Sequence, residues 1–192
     1  DVSLAPDPAY EADTLTCTPG ATTDADGATG LGHGYAWSVD GVDVGETTNT
    51  LDGTAFDKGQ EVFCTVTPND GDADGDAVIS NSVTIRNTGP GAPLLSFAPA
   101  KPVAGEDDLV CQVDTAASDD DEDAVTYTFE WDLDGASYTD TTTTTWTGDT
   151  VAAEATALAQ EWACTVTPND GEEDGTAATV SITVSACFAG WE

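Results

Sequence analysis

The chain has 192 residues, with 37 Asp and Glu against three Lys and Arg, and a formal net charge of −34. That balance excludes nucleic acid as a partner, because phosphate contacts need clustered Lys and Arg, and it disfavours anionic lipid for the same reason. No apolar run is long enough to span a bilayer, so no membrane insertion is expected, and the length suits two domains of ordinary size.

Val2 to Ala5 reads as a short edge strand, closed by Pro6 and Pro8, which suit an edge that must not template further pairing. Leu15 and Cys17 alternate with Thr14, Thr16 and Thr18, the period-two pattern of a half-buried strand. Residues 19–34 form a long loop rich in Gly, Asp and Thr. A strand follows with Tyr35, Trp37 and Val39 on one face, and Asp40-Gly41 is a hairpin signal between Val39 and Val42. Beyond Leu51 and Phe56, Asp57-Lys58-Gly59 turns the chain into a strand on which Val62, Cys64 and Val66 share a face. An acidic loop over 68–76 leads to a last strand with Val83 and Ile85 inward.

A Gly/Pro stretch over 88–92 reads as a linker. The plan then repeats. Leu109, Cys111 and Val113 alternate; so do Phe129, Trp131 and Leu133, followed by Asp134-Gly135; then Trp162, Cys164 and Val166; then Ile182 and Val184. Residues 64–71 and 164–171 are the same eight letters, Cys-Thr-Val-Thr-Pro-Asn-Asp-Gly. A repeat of this length defines two homologous units, 1–87 and 93–186, with a tail at 187–192.

In each unit a Cys is followed by a Trp at the same twenty-residue spacing, Cys17 to Trp37 and Cys111 to Trp131, and then by a second Cys. This order resembles the immunoglobulin-like β-sandwich. The resemblance implies an all-β fold of two tandem sandwiches, with a strand-B Cys bridged to a strand-F Cys over a strand-C Trp. The pairs would be Cys17–Cys64 and Cys111–Cys164, which place the chain in an oxidising, extracellular or cell-surface setting. The tyrosine corner of antibody-type domains is missing, because Val62 and Trp162 stand where it would be. Val39-Asp40-Gly41 after the Trp and Thr-Pro-Asn-Asp-Gly after the Cys resemble tandem modules of prokaryotic surface proteins, in the broad Ig-like, PKD-like and cadherin-like group. That resemblance implies a structural or adhesive role, as a spacer, stalk or filament subunit. The competing expectation is a ligand-binding module, carbohydrate-binding for example, with Tyr138 and Trp146 as the aromatic candidates.

The acid concentrates in turns, which favours cation binding over general adaptation to high salt. Ca²⁺ takes six to eight hard oxygen ligands. In the second unit the B–C loop offers Asp119, Asp121 and Asp123, and the F–G loop offers Asn169, Asp170 and Asp174. In the first unit Asp24 and Asp26 stand against Asn69, Asp70, Asp72 and Asp74. The alternative for all of these is a solvated turn. Because the B–C and F–G loops share one end of such a sandwich, the acidic end of the second unit is expected to face the exit of the first, where a cation would stiffen the joint. Cys187, with Phe188 and Trp191, is either in a disulfide outside the two units, at a docking contact, or a free thiol, and head-to-tail association of copies or of neighbouring modules is expected. Thr141, Thr142, Thr143, Thr144 and Thr145 are either O-glycosylation candidates or a plain solvated strand. The single His33 cannot build a triad or a typical catalytic metal site, so no enzymatic activity is expected.

Overall fold

The computed structural model describes residues 1–23, 31–145 and 148–186, the side chains of 143–145 excepted. The chain divides into two compact units after Thr88. Each is a β-sandwich built around a Cys–Cys bridge and a tryptophan.

In the first unit the strands are β1 (Ser3–Ala5), β2 (Ala9–Tyr10), β3 (Leu15–Thr18), β4 (Gly32–Val39), β5 (Val42–Asp43), β6 (Thr50–Leu51), β7 (Glu61–Asn69), β8 (Val78–Ile79) and β9 (Val83–Arg86). One sheet has the order β1-β3-β6 and the other β2-β9-β7-β4-β5, with β8 also pairing β7. β4 begins at Gly32, inside the stretch expected as loop, so His33 stands on a strand. β7 alternates buried Val62, Cys64 and Val66 with partly exposed neighbours, which is the pleat burying every second residue. Trp37 lies opposite Cys64 and is 1% exposed, over the Cys17–Cys64 disulfide.

Two features escaped the strand pattern. The N-terminal segment changes sheets: β1 pairs antiparallel with β3, and β2 pairs parallel with β9. The last strand is interrupted between β8 and β9, where side chains take over from the ladder. Cys64 N–H donates to Ser80 Oγ at 3.1 Å, Leu4 N–H donates to Asn81 Oδ1 at 2.9 Å, and Asn81 Nδ2 returns to Leu4 O at 3.3 Å. Asn81 thus serves β1 as a substitute strand edge.

The second unit has β10 (Leu94–Ala98), β11 (Leu109–Thr115), β12 (Thr126–Leu133), β13 (Ala136–Tyr138), β14 (Thr142–Thr145), β15 (Gly148–Val151), β16 (Glu161–Asn169) and β17 (Ala178–Thr183). Its sheets run β10-β11-β15-β14 and β13-β12-β16-β17. Trp131 faces Cys164 across the ladder over the Cys111–Cys164 disulfide. Trp162, in the missing tyrosine-corner position, is fully buried and meets Trp131 and Tyr138 edge-on, at centroid distances of 6.3 and 4.8 Å. An edge-to-face pair of this kind adds to plain burial.

Both hairpin signals form as expected. Asp40 and Gly41 have φ of 49° and 78°, and Asp134 and Gly135 have 50° and 81°, the positive values a two-residue type I′ turn requires. In each turn the Asp carboxylate also accepts the backbone N–H of Glu61 or Glu161, at 3.0 and 2.9 Å.

The sandwich assignment is therefore immunoglobulin-like in both units, all-β, with the two disulfides at the expected cysteines. Residues 89–91, within the Gly/Pro stretch expected as a linker, are fastened to the second unit. Pro90 is fully buried, its carbonyl accepts the Thr176 N–H at 2.9 Å, and Gly91 N–H donates to Ser118 O at 2.7 Å.

Candidate metal centre

The loop between β11 and β12 is anchored by Ala117, whose N–H donates to the Tyr127 hydroxyl at 2.8 Å. Asp119 then organises the turn. Its Oδ1 accepts the N–H groups of Asp121 at 3.1 Å and Asp123 at 3.2 Å, and its carbonyl accepts from Glu122 at 3.3 Å. Glu122 closes the turn with a φ of 59°. An aspartate bonding its own downstream backbone is the usual way this residue builds a turn.

The consequence is a convergence of alternate side chains. One carboxylate oxygen each from Asp119, Asp121 and Asp123 lies within 4.8 Å of the others, and all three residues are half-buried. The other oxygen of Asp119, Oδ2, is shielded from solvent without a hydrogen-bond partner. Two costs meet here. Carboxylates this close repel, by roughly 1 kcal/mol per pair at 4 Å in bulk water and about 4 kcal/mol near a protein surface. A shielded acceptor left unpaired also loses its hydration. A hard cation answers both. Ca²⁺ holds oxygens at about 2.3–2.6 Å, so oxygens around one ion lie within roughly 5 Å of each other, and the cluster meets that requirement. Among the described residues it is the one group of three such side chains.

The F–G candidates are arranged differently. Asn169 Nδ2 donates to Asp174 Oδ1 at 2.8 Å, and Asn169 Oδ1 accepts from Gly171 N–H at 2.8 Å. Asp170 Oδ1 accepts from the N–H groups of Glu172 and Glu173, at 2.7 and 2.8 Å. The first unit repeats this: Asn69 bonds Asp74 at 2.7 Å and Gly71 at 2.7 Å, while Asp70 Oδ1 accepts from Asp72 and Ala73 at 2.8 and 2.7 Å. These N–H groups, Ala73 first and Asp72 next, hold the Asp70 carboxyl below the usual carboxylate range. The repeated Pro-Asn-Asp-Gly thus writes a self-bonded turn, and in the second unit Asp170 and Asp174 are not members of the three-aspartate group. Asp72 is exposed.

Asp24 and Asp26 lie outside the described residues, as do Cys187, Phe188, Trp191 and Trp146. Thr142 to Thr145 form β14, at the edge of its sheet beside β15, and Thr141 precedes it. Tyr138 is not an exposed platform: it is half-buried on Trp162, and burial, reinforced by the charge of Asp140, pushes its hydroxyl pKa up.

One buried polar group had no sequence signal. Asp149 is 2% exposed and its Oδ2 accepts the Trp131 indole N–H at 2.8 Å, while its Oδ1 has no hydrogen-bond partner among the described residues. In the first unit the Trp37 indole donates to the Thr48 carbonyl at 2.9 Å, and Asn49 holds the position equivalent to Asp149.

No protein-family model matches the chain, and no curated protein matches it in sequence. Solved structures with a similar path include the FN1–FN3 domains of chicken CNTN1, at 12% identity and a TM-score of 0.40, covering 96% of this chain and 65% of that one. The chicken interferon gamma receptor alpha chain is similar at 8% identity and a TM-score of 0.47, covering 96% and 97%. A two-domain fibronectin type III segment of chicken tenascin is similar at 12% and 0.44, covering 96% and 98%. Likenesses this remote say nothing of function.

Proposed function

We propose that this chain is a structural or adhesive segment of an extracellular surface protein, a stalk or filament element, whose second domain binds Ca²⁺ through Asp119, Asp121 and Asp123. The observation that supports the metal is the convergence of three carboxylates around a shielded, unpaired Asp119 Oδ2. The ion would supply charge neutralisation and would lock the loop that holds Gly91 through the Ser118 carbonyl. The role is then mechanical. Rigid sandwiches are closed by disulfides, and a cation stiffens the B–C end of the second. The partners are further modules of the same kind or copies of this chain, met end to end. The two bridges also support an oxidising location, since disulfides persist there and not in reducing cytosol. The lone His33 stands on β4, with Thr22 Oγ1 at 3.5 Å, and the clustered acids occupy a polar turn.

Thermal melts of the chain in EGTA and in millimolar Ca²⁺ test this reading. A ligand of the native state alone stabilises by about 2.7 kcal/mol at a hundred times its Kd. The midpoint should rise with Ca²⁺ and should not rise in Asp119→Asn/Asp121→Asn. An equal midpoint in both buffers removes the metal from the proposal.

A further inference from the structure

Three elements of the first unit bring Glu11, Lys58 and Asn87 to one end of the sandwich. β2 runs parallel to β9 with Ala9 beside Ile85 and Tyr10 beside Arg86, so Glu11 and Asn87 follow on adjacent strands. The turn at 57–60 docks on the same strand: Gly59 N–H donates to Ile85 O at 2.9 Å and Ile85 N–H to Gln60 O at 3.0 Å. The Glu11 carboxylate accepts the Lys58 backbone N–H, which fixes the root of the lysine side chain. Lys58 Nζ then lies 2.9 Å from Asn87 Oδ1 in a half-buried contact. The fold does not demand this pair. The second unit makes the same turn-to-strand bonds, Ala159 N–H to Val184 O and Val184 N–H to Gln160 O, both 3.0 Å, yet carries Leu158 and Ala186 at the corresponding positions. Lys58 is also one of only three Lys and Arg residues in the chain.

We propose that Lys58 and Asn87 join in an intramolecular amide cross-link. Asn87 Cγ is one carbonyl bond from the oxygen that Lys58 contacts, so rotating the Asn87 amide brings Nζ to the roughly 3–3.5 Å of a near-attack pair. Nζ attacks Cγ and the Nζ–Cγ bond forms. The Cγ–Nδ2 bond breaks, and Nδ2 leaves as ammonium, carrying the two protons that the lysine nitrogen sheds. Nothing is oxidised or reduced and no other reactant is consumed. The product ties the turn at 57–60 covalently to the exit of β9, so a pull on the end of this unit would be borne by a bond and not by the strand ladder.

The test is the intact mass of the full chain after thiol reduction. The cross-link makes it lighter than the sequence mass by one ammonia. Proteolysis should then yield a branched peptide joining the segments around residues 58 and 87, and the deficit should vanish in Lys58→Arg and Asn87→Ala. A full mass for the natural chain overturns the proposal without reference to any variant. So does a deficit that persists in Lys58→Arg, which marks a cyclic imide at Asn87.

Discussion

Asp70 and Asp149 show how differently one residue type is used in this acidic chain. Asp70 is exposed and its carboxylate is held by the N–H groups of Ala73 and Asp72. Its native pKa is depressed, so its contribution to the F–G turn is fully present above its unfolded pKa and is lost as the pH falls through the lower native value. A carboxyl titration by NMR should give an Asp70 midpoint below 3.8, the ordinary value for the group, and amide exchange at Asp72 and Ala73 should accelerate once that midpoint is passed. Asp149 is buried, with one oxygen on the Trp131 indole and the other unpaired among the described residues. Asp149→Asn keeps an acceptor for the indole and takes an ionisable group out of the core, so its Tm should rise. Asp149→Leu strands the indole N–H and should cost about 1–3 kcal/mol in chemical denaturation.

The strands were legible because the pleat writes a period of two, and Cys17, Trp37, Cys64 and their counterparts all fell on the buried parity. Asp-Gly hairpins were legible because few residues tolerate positive φ at both positions. What escaped the sequence depends on contacts distant along the chain: the sheet change between β1 and β2, the Asn81 bridge to Leu4, and the burial of Pro90 against Thr176. The acid-rich loops were legible as such, but the difference between them was not: Asp119, Asp121 and Asp123 converge, whereas Asn169 and Asp170 bond within their own loop, and both depend on backbone turns that composition does not specify. The docking of residues 89–91 can be tested at Gly175, where an added Cβ would stand 2.1 Å from the Pro90 carbonyl oxygen. Gly175→Ala should push that segment off and cost about 1–3 kcal/mol, the usual range for overpacking. Gly75→Ala in the first unit meets only the Pro68 ring at 3.0 Å and should cost less. Differential scanning calorimetry of the two variants compares them directly.

Taken whole, the molecule carries a net charge of −34 on two small sandwiches, and its cohesion rests on two cores and two disulfides. Reducing the bridges should lower stability by about 2–5 kcal/mol for each domain, read from urea midpoints with and without thiol. Self-repulsion makes the chain a sink for divalent cations in general, so site binding must be distinguished from loose condensation on the surface. The decisive measurement is a calorimetric Ca²⁺ titration of the full chain in salt sufficient to screen diffuse attraction, repeated on Asp121→Asn. One saturable equivalent that the substitution abolishes would establish the B–C loop of the second domain as the site. A weak, unsaturable heat that is the same for both proteins would contradict it and leave the three aspartates as a solvated turn.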